Sequence, residues 1–148
     1  MEKKELVSIL NEVLVPIGFK KKGDYWVING EEITKMVNLQ KSQFGNTFYV
    51  NYGYILKSIP LNGLMMHVFK GFGSLDKIEQ QRITALLDLG NNISNEERAK
   101  ELKDLLTKKV VLSIQEVSTE EDVSNELKKR SHLNDVPLIV KRHFSLAE

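Results

Sequence analysis

Asn38, Gln40, Ser42, Tyr49 and Asn51 recur at alternate positions of two neighbouring segments, and one imidazole, His67, follows them. Amides and hydroxyls can orient a polar ligand or a partner surface through paired donors and acceptors, but they carry no charge and no nucleophile. His67 is the single group in this region able to give or take a proton near neutrality. Two functional readings follow. In the first, the polar stripe is a non-catalytic binding surface for a protein partner, a toxin-neutralising (immunity) protein being one concrete version. In the second, the Asn and Gln amides orient a small polar molecule or substrate and His67 serves as acid or base. Two plainer accounts compete with both: antiparallel sheets often have one solvated polar face, and a buried amide ladder would specify strand register alone. Met65 and Phe69 on one side of the alternation and Met66 and Val68 on the other surround His67 with apolar residues. A buried histidine bonded to a carbonyl is its plain reading.

Little else in the chain resembles a reaction centre. There is no cysteine, hence no disulfide framework, thiolate zinc site or cysteine nucleophile. No Ser-His-Asp arrangement, no carboxylate pair outside helix starts, no His-x-x-x-His spacing and no phosphate loop is visible, so no catalytic residue, metal ligand or cofactor is assigned. Gly71-Phe72-Gly73 lacks the third glycine of a dinucleotide fingerprint and reads as a loop. His132 and His143 sit in polar surroundings and read as surface residues. Lys20-Lys21-Lys22, beside Tyr25 and Trp26, could form a phosphate clamp with stacking aromatics; the simpler reading is a charged guard on a sheet edge. The balance favours binding over catalysis.

The elements that must position these residues are strands. Asp24 to Ile28 is β-branched and aromatic, and Asn29-Gly30 after it predicts a hairpin closed by a type I′ turn. A second arm, Glu31 to Ser42, meets a third, Thr47 to Leu56, across the polar loop Gln43-Phe44-Gly45-Asn46. Alternation then puts Trp26, Ile28, Ile33, Val37, Leu39, Phe48, Val50, Tyr52 and Tyr54 on a core face. The opposite face pairs Asn38 with Asn51, Gln40 with Tyr49 and Ser42 with Thr47, with Tyr25, Val27 and Met36 nearby. Leu64 to Phe69 reads as a fourth strand and Ile83 to Leu89 as a fifth.

Around this meander the pattern turns helical. Leu6, Ile9, Leu10, Val13 and Leu14 have helical spacing and are followed by the breakers Pro16 and Gly18. Ser94 and Glu97 form a capping box, after which Ala99, Leu102, Leu106, Val110, Ile114 and Val117 continue one stripe in a helix that is either long or broken near Val110. Glu96 to Lys100 and Asp104 to Lys108 are i,i+4 pairs on its wet side. Ser118 with Glu121 predicts a further helix carrying Val123 and Leu127, whose acidic start Glu120-Glu121-Asp122 suits the helix dipole better than a metal. Val136 to Val140 reads as a final strand or packed tail.

The expected architecture is therefore α+β: an N-terminal helix, an antiparallel β-meander of four or five strands, and C-terminal helices packed on one face. At 148 residues the chain suits one domain, residues 1–148, able to bury a sizeable core. Its 41% apolar and 28% charged residues are ordinary for a globular protein. No window suits a membrane span or a secretory signal, so a cytoplasmic setting is expected. A net charge of +1, with nine lysines against six carboxylates through Gly73 and twelve basic against fourteen acidic residues after it, argues against a nucleic-acid partner. Oligomeric state is left open.

Gly18-Phe19-Lys20-Lys21-Lys22-Gly23, Trp26, Val37-Asn38-Leu39-Gln40-Lys41-Ser42 and Phe48-Tyr49-Val50-Asn51-Tyr52-Gly53 resemble the signature of a bacterial family known as domain of unknown function 4304. The similarity extends to His67, Leu87-Asp88-Leu89 and Glu97-Arg98. One departure is visible: the family pattern has an arginine four residues after the histidine, where this chain has Gly71. The resemblance implies kinship without a mechanism, and it falls on the same stripe, Asn38, Gln40, Ser42, Tyr49 and Asn51.

Overall fold

Leu6, Ile9, Leu10 and Leu14 fall on one side of helix α1 (Lys3–Leu14) and are buried there. The computed structural model describes all 148 residues. A short 3-10 turn through Pro16 ends the helix, and Gly18 at φ +106 reverses the chain, a backbone region open to glycine at no steric cost. Five strands follow, β1 (Lys20–Lys22), β2 (Tyr25–Asn29), β3 (Ile33–Lys41), β4 (Phe48–Leu56) and β5 (Val68–Gly71). They form one antiparallel sheet in chain order.

The β3–β4 register is the anticipated one, with Asn38 opposite Asn51 and Gln40 opposite Tyr49. The β2–β3 turn is not. Asn29 pairs with Thr34 inside the ladder and its side-chain oxygen accepts a hydrogen bond from the Thr34 hydroxyl at 3.0 Å. The reversal lies two residues later, at Glu31-Glu32, where the Gly30 N–H donates to the Ile33 carbonyl at 2.9 Å. No residue of this turn has positive φ, so it is not type I′. Gly30 serves close approach instead: a Cβ there would lie 2.9 Å from the Ile33 carbonyl. Moving the turn by two residues shifts each cross-strand partner by four, an even number, so every side chain keeps its predicted face.

Two further segments differ from the sequence expectation. Ile83 to Leu89 is not a strand; Lys77–Leu87 is helix α2, capped by Asp76, whose carboxylate accepts from the Glu79 N–H. Ile83, Leu86 and Leu87, buried at i, i+3 and i+4, are its core stripe. The fifth strand is instead the lysine run Lys20–Lys22, an exposed edge. The fourth begins later than expected, at Val68. Val136 to Val140 is not a strand either: Pro137 stands at the N-cap of helix α6 (Leu138–His143), where its missing N–H costs nothing, and Val136 and Val140 are buried.

After Ser94, which caps with its hydroxyl as expected, the chain is helical without a break from α3 (Asn95–Leu106) through a π turn (Thr107–Val111) to α4 (Leu112–Gln115). Within the wide turn the Lys109 carbonyl accepts from the Ser113 hydroxyl at 3.0 Å and faces the Tyr52 hydroxyl at 3.5 Å. The last capping box is one residue beyond the expected Ser118–Glu121: Thr119 and Asp122 cap α5 (Glu120–Lys128) reciprocally. Of the two side-chain pairs expected on the wet side of α3, Asp104 and Lys108 are joined, at 3.0 Å.

The result is α+β, an N-terminal helix, a five-stranded antiparallel meander and C-terminal helices. Trp26, Val37, Val50, Tyr52 and Tyr54 from one sheet face pack with Leu6, Leu10, Leu102, Leu106, Ile114, Val123 and Leu127 from the helices in one apolar cluster. Trp26 is fully buried and donates its indole N–H to the Asn11 side chain at 2.8 Å. No helix is long and apolar enough to cross a membrane.

Candidate functional site

The other sheet face takes a different course. By register it presents Lys20 and Lys22 from β1, Tyr25 and Val27 from β2, Thr34, Met36, Asn38 and Gln40 from β3, Tyr49, Asn51 and Ile55 from β4, and Phe69 from β5. None of its apolar side chains joins or packs against the core cluster. Tyr49 and Phe69 are 50% and 42% exposed. The five strands contain six lysines and no aspartate or glutamate, so this face is free of carboxylates.

Its centre is a connected amide network. The Asn51 amide donates to the Gln40 side-chain oxygen at 3.1 Å and to that of Asn38 at 3.4 Å, and Asn38 donates to the Asp24 carbonyl at 3.4 Å. Burial grades along the row: Asn38 is 6% exposed, Asn51 is half-buried, and Gln40 is open to solvent. The stripe therefore divides into an inner member satisfied by the fold and an outer pair, Gln40 and Tyr49, turned to solvent. Ser42 does not belong to it: its hydroxyl accepts from the Phe44 N–H at 3.1 Å and its backbone N–H donates to Thr47, closing the β3–β4 loop.

Gly53 lies on this face where β5 passes β4. A Cβ there would lie 1.9 Å from the Val68 carbonyl oxygen and 2.7 Å from the Phe69 Cα, both backbone atoms. Only glycine lets β5 approach β4 this closely.

His67 is elsewhere. It has no exposed surface; its Nδ1 accepts from the Leu56 N–H at 2.8 Å and its Nε2 lies 2.8 Å from the Pro60 carbonyl, to which it donates. These partners need the neutral Nε2–H tautomer and occupy both nitrogens. Leu56 lies about 17 Å along β4 from Asn51 at ordinary strand rise. The ring braces the β4–β5 connection and is not with the amides.

The one place where a hydroxyl, an imidazole and a carboxylate meet is Ser58, His143 and Glu120. His143 Nε2 is 2.5 Å from Glu120 Oε1 and 3.4 Å from Ser58 Oγ, and Ser58 also donates to Glu120 at 3.0 Å. A nucleophilic triad places the acid on Nδ1 and the hydroxyl on Nε2. Here both crowd Nε2, which pins α6 to the start of α5 and activates nothing. No three His, Asp or Glu side chains are grouped to hold a metal ion. Sequence reading missed Phe69 as a member of the open face, since it sees alternation within β5 but not β5's register against β4. It also missed Lys70 and Arg130, which the fold brings to one groove from distant positions without any local signal.

A helix-backed antiparallel meander with one uncovered, carboxylate-free face defines an α+β protein built around a sheet surface. The chain belongs to the family described as Domain of unknown function (DUF4304), whose pattern it matches over residues 10–130. No curated protein and no solved structure matches it.

Proposed function

We propose that the protein is a non-catalytic binding module that holds a protein partner on the open sheet face, an immunity-type role being one form of it. The supporting observation is that Tyr25, Val27, Met36, Tyr49, Ile55 and Phe69 share a face that contributes nothing to the core. Contiguous apolar and aromatic surface of this kind marks interaction sites. The amide network Asn38–Asn51–Gln40 keeps the centre of the face satisfied without a partner, while the outer Gln40 and Tyr49 have capacity to bond to one. Lys20 and Lys22 at the β1 edge suit a partner that brings carboxylates to that rim. A cytoplasmic setting accords with the absence of cysteine.

The test compares wild type with a Gln40→Ala/Tyr49→Ala variant and with Phe44→Ala, an exposed residue in the β3–β4 loop. Captured proteins and melting temperature are measured for each. The reading requires a species bound by wild type and Phe44→Ala and lost by the double variant at unchanged melting temperature. Equal capture by all three removes it. The alternative, a small-molecule or enzymatic site of Asn and Gln amides with His67, draws support from the amides alone, since His67 is enclosed and engaged at both nitrogens.

A further inference from the structure

A groove of about 560 Å³ opens beside the outer edge of β5, in the size range of ligand sites. Its walls include Tyr52, Phe69, Lys70, Leu75, Arg130 and His132. Arg130 follows α5, and its side chain is only 13% exposed. Such a buried guanidinium needs acceptors, because a charge withdrawn from water is costly unless paired. The other two long-range arginines have them at their terminal nitrogens, although the Arg98 Nε–H, like that of Arg130, has no acceptor. Arg82 binds Glu97 and Glu101, and Arg98 donates to four backbone carbonyls. Arg130 has only loose contacts, with the Asp135 carboxylate at 3.6 Å and the Phe69 carbonyl at 3.5 Å, and its buried Nε–H has no acceptor.

A second unmet donor lies next to it. The Tyr54 hydroxyl is buried beside Glu126 without a hydrogen bond of normal length, in a recess that shares Tyr52, Phe69, Lys70 and Arg130 with the groove and has no room for a water molecule. The charges facing Arg130 are Glu126, already held by Lys70 at 3.3 Å, and Asp135, half exposed on the groove wall. Lys70, Arg130 and His132 thus supply more donors than the two carboxylates use. Leu75, fully exposed, and Phe69, 42% exposed, add an apolar rim.

We propose that this groove binds a small oxyanion, a phosphate or carboxylate on an apolar body, with the Arg130 guanidinium as its planar anchor and Lys70 beside it. The Nη edge, held only loosely by Asp135 and the Phe69 carbonyl, can present two parallel N–H donors to the two oxygens of such a group, while the enclosed Nε–H lies behind it. Phe69 and Leu75 cover the apolar body. Asp135 is the internal competitor that the ligand displaces. This site does not depend on the open sheet face being a partner surface.

The test is a nitrogen-15 NMR titration of the full chain, following the arginine Nε–H signals, with sodium phosphate in one arm, sodium benzoate in another and sodium chloride at equal ionic strength as control. The expected result is a saturating shift of the Arg130 signal with phosphate or with benzoate, and the arm that saturates identifies the anion. Asp135→Asn tightens that binding by about two- to fivefold, the worth of an exposed ion pair, and Arg130→Gln abolishes it. Asp135→Asn retains the anchor, so it decides the matter even if Arg130→Gln folds poorly. Unsaturated shifts in both arms, a chloride response of equal size, or an unchanged affinity in Asp135→Asn overturns the proposal.

Discussion

The Leu56 N–H donates to His67 Nδ1 at 2.8 Å, so the backbone of β4 is completed by a side chain from beyond the next connection. With Pro60 accepting on the other nitrogen, the ring satisfies the last N–H of β4 and one carbonyl of the Lys57–Met66 excursion. His67→Ala removes both bonds and leaves a cavity, and is expected to cost about 2–4 kcal/mol. His67→Asn can still accept from Leu56 and should lose less. Urea unfolding of the two variants measures the difference; a wild-type midpoint in His67→Ala would deny the ring its structural role.

The amide row makes a graded prediction. Asn51→Ala strips the donor shared by Asn38 and Gln40 and leaves the buried Asn38 oxygen unpaired, a loss of about 1–2 kcal/mol. Gln40→Ala, at the exposed end, should stay within about 0.5 kcal/mol of wild type. Equal losses at the two positions would mean that the network is not graded by burial.

Much of this arrangement was legible in the sequence because its signals are local. Alternation at period two put Asn38, Gln40, Tyr49 and Asn51 on one face and Trp26, Val37 and Val50 on the other, and the actual β2–β3 turn preserved those faces because it moved each partner by an even number. Where the reading failed, two local signals competed. Asn29-Gly30 has hairpin chemistry, but the Thr34–Asn29 side-chain bond and the pairing of Trp26 with Val37 hold Asn29 inside the strand. Ile83 to Leu89 has the apolar content of a buried strand, and the helix was signalled by Asp76 and Glu79, seven and four residues upstream of Ile83. The Arg130 groove depends on contacts between β5 and the end of α5 that no local pattern encodes.

Acid should act through the cap of α5. The Ser118 and Thr119 N–H groups donate to the Asp122 carboxylate at 2.9 and 3.1 Å and hold it below the usual aspartate range. A carboxyl depressed in the folded state contributes stability that is present above its unfolded value of about 3.9 and fades as pH falls through the lower folded one. Glu101 beside Arg82 and Glu79 beside Lys109 are lowered in the same sense. Asp122→Asn should therefore be less stable than wild type at pH 7, with the two stability curves converging below pH 4. A constant gap from pH 7 to pH 2 would remove the carboxylate from the account.

Arg98 gives the most demanding prediction, because it is fully buried and no carboxylate pairs with it. Its two terminal nitrogens reach the carbonyls of Ala85, Leu86, Asp88 and Asn91, at the C-terminal end of α2 and in the turn beyond. The same segment continues into the Thr47–Asp88 bridge and the Leu89–Asn46 hydrogen bond, so one guanidinium ties α3, the end of α2 and the β3–β4 hairpin together. Arg98→Met keeps the volume and leaves the Leu86 carbonyl without a donor, while those of Ala85, Asp88 and Asn91 keep the N–H groups of Asp88, Asn91 and Ile93; a loss of about 1–3 kcal/mol is expected. Arg98→Lys keeps the charge, yet a single ammonium cannot span four acceptors that a planar fork reaches from two sides. It should recover less than half of the loss. Full recovery in Arg98→Lys would show that charge at the end of α2, rather than donor geometry, holds the three elements together.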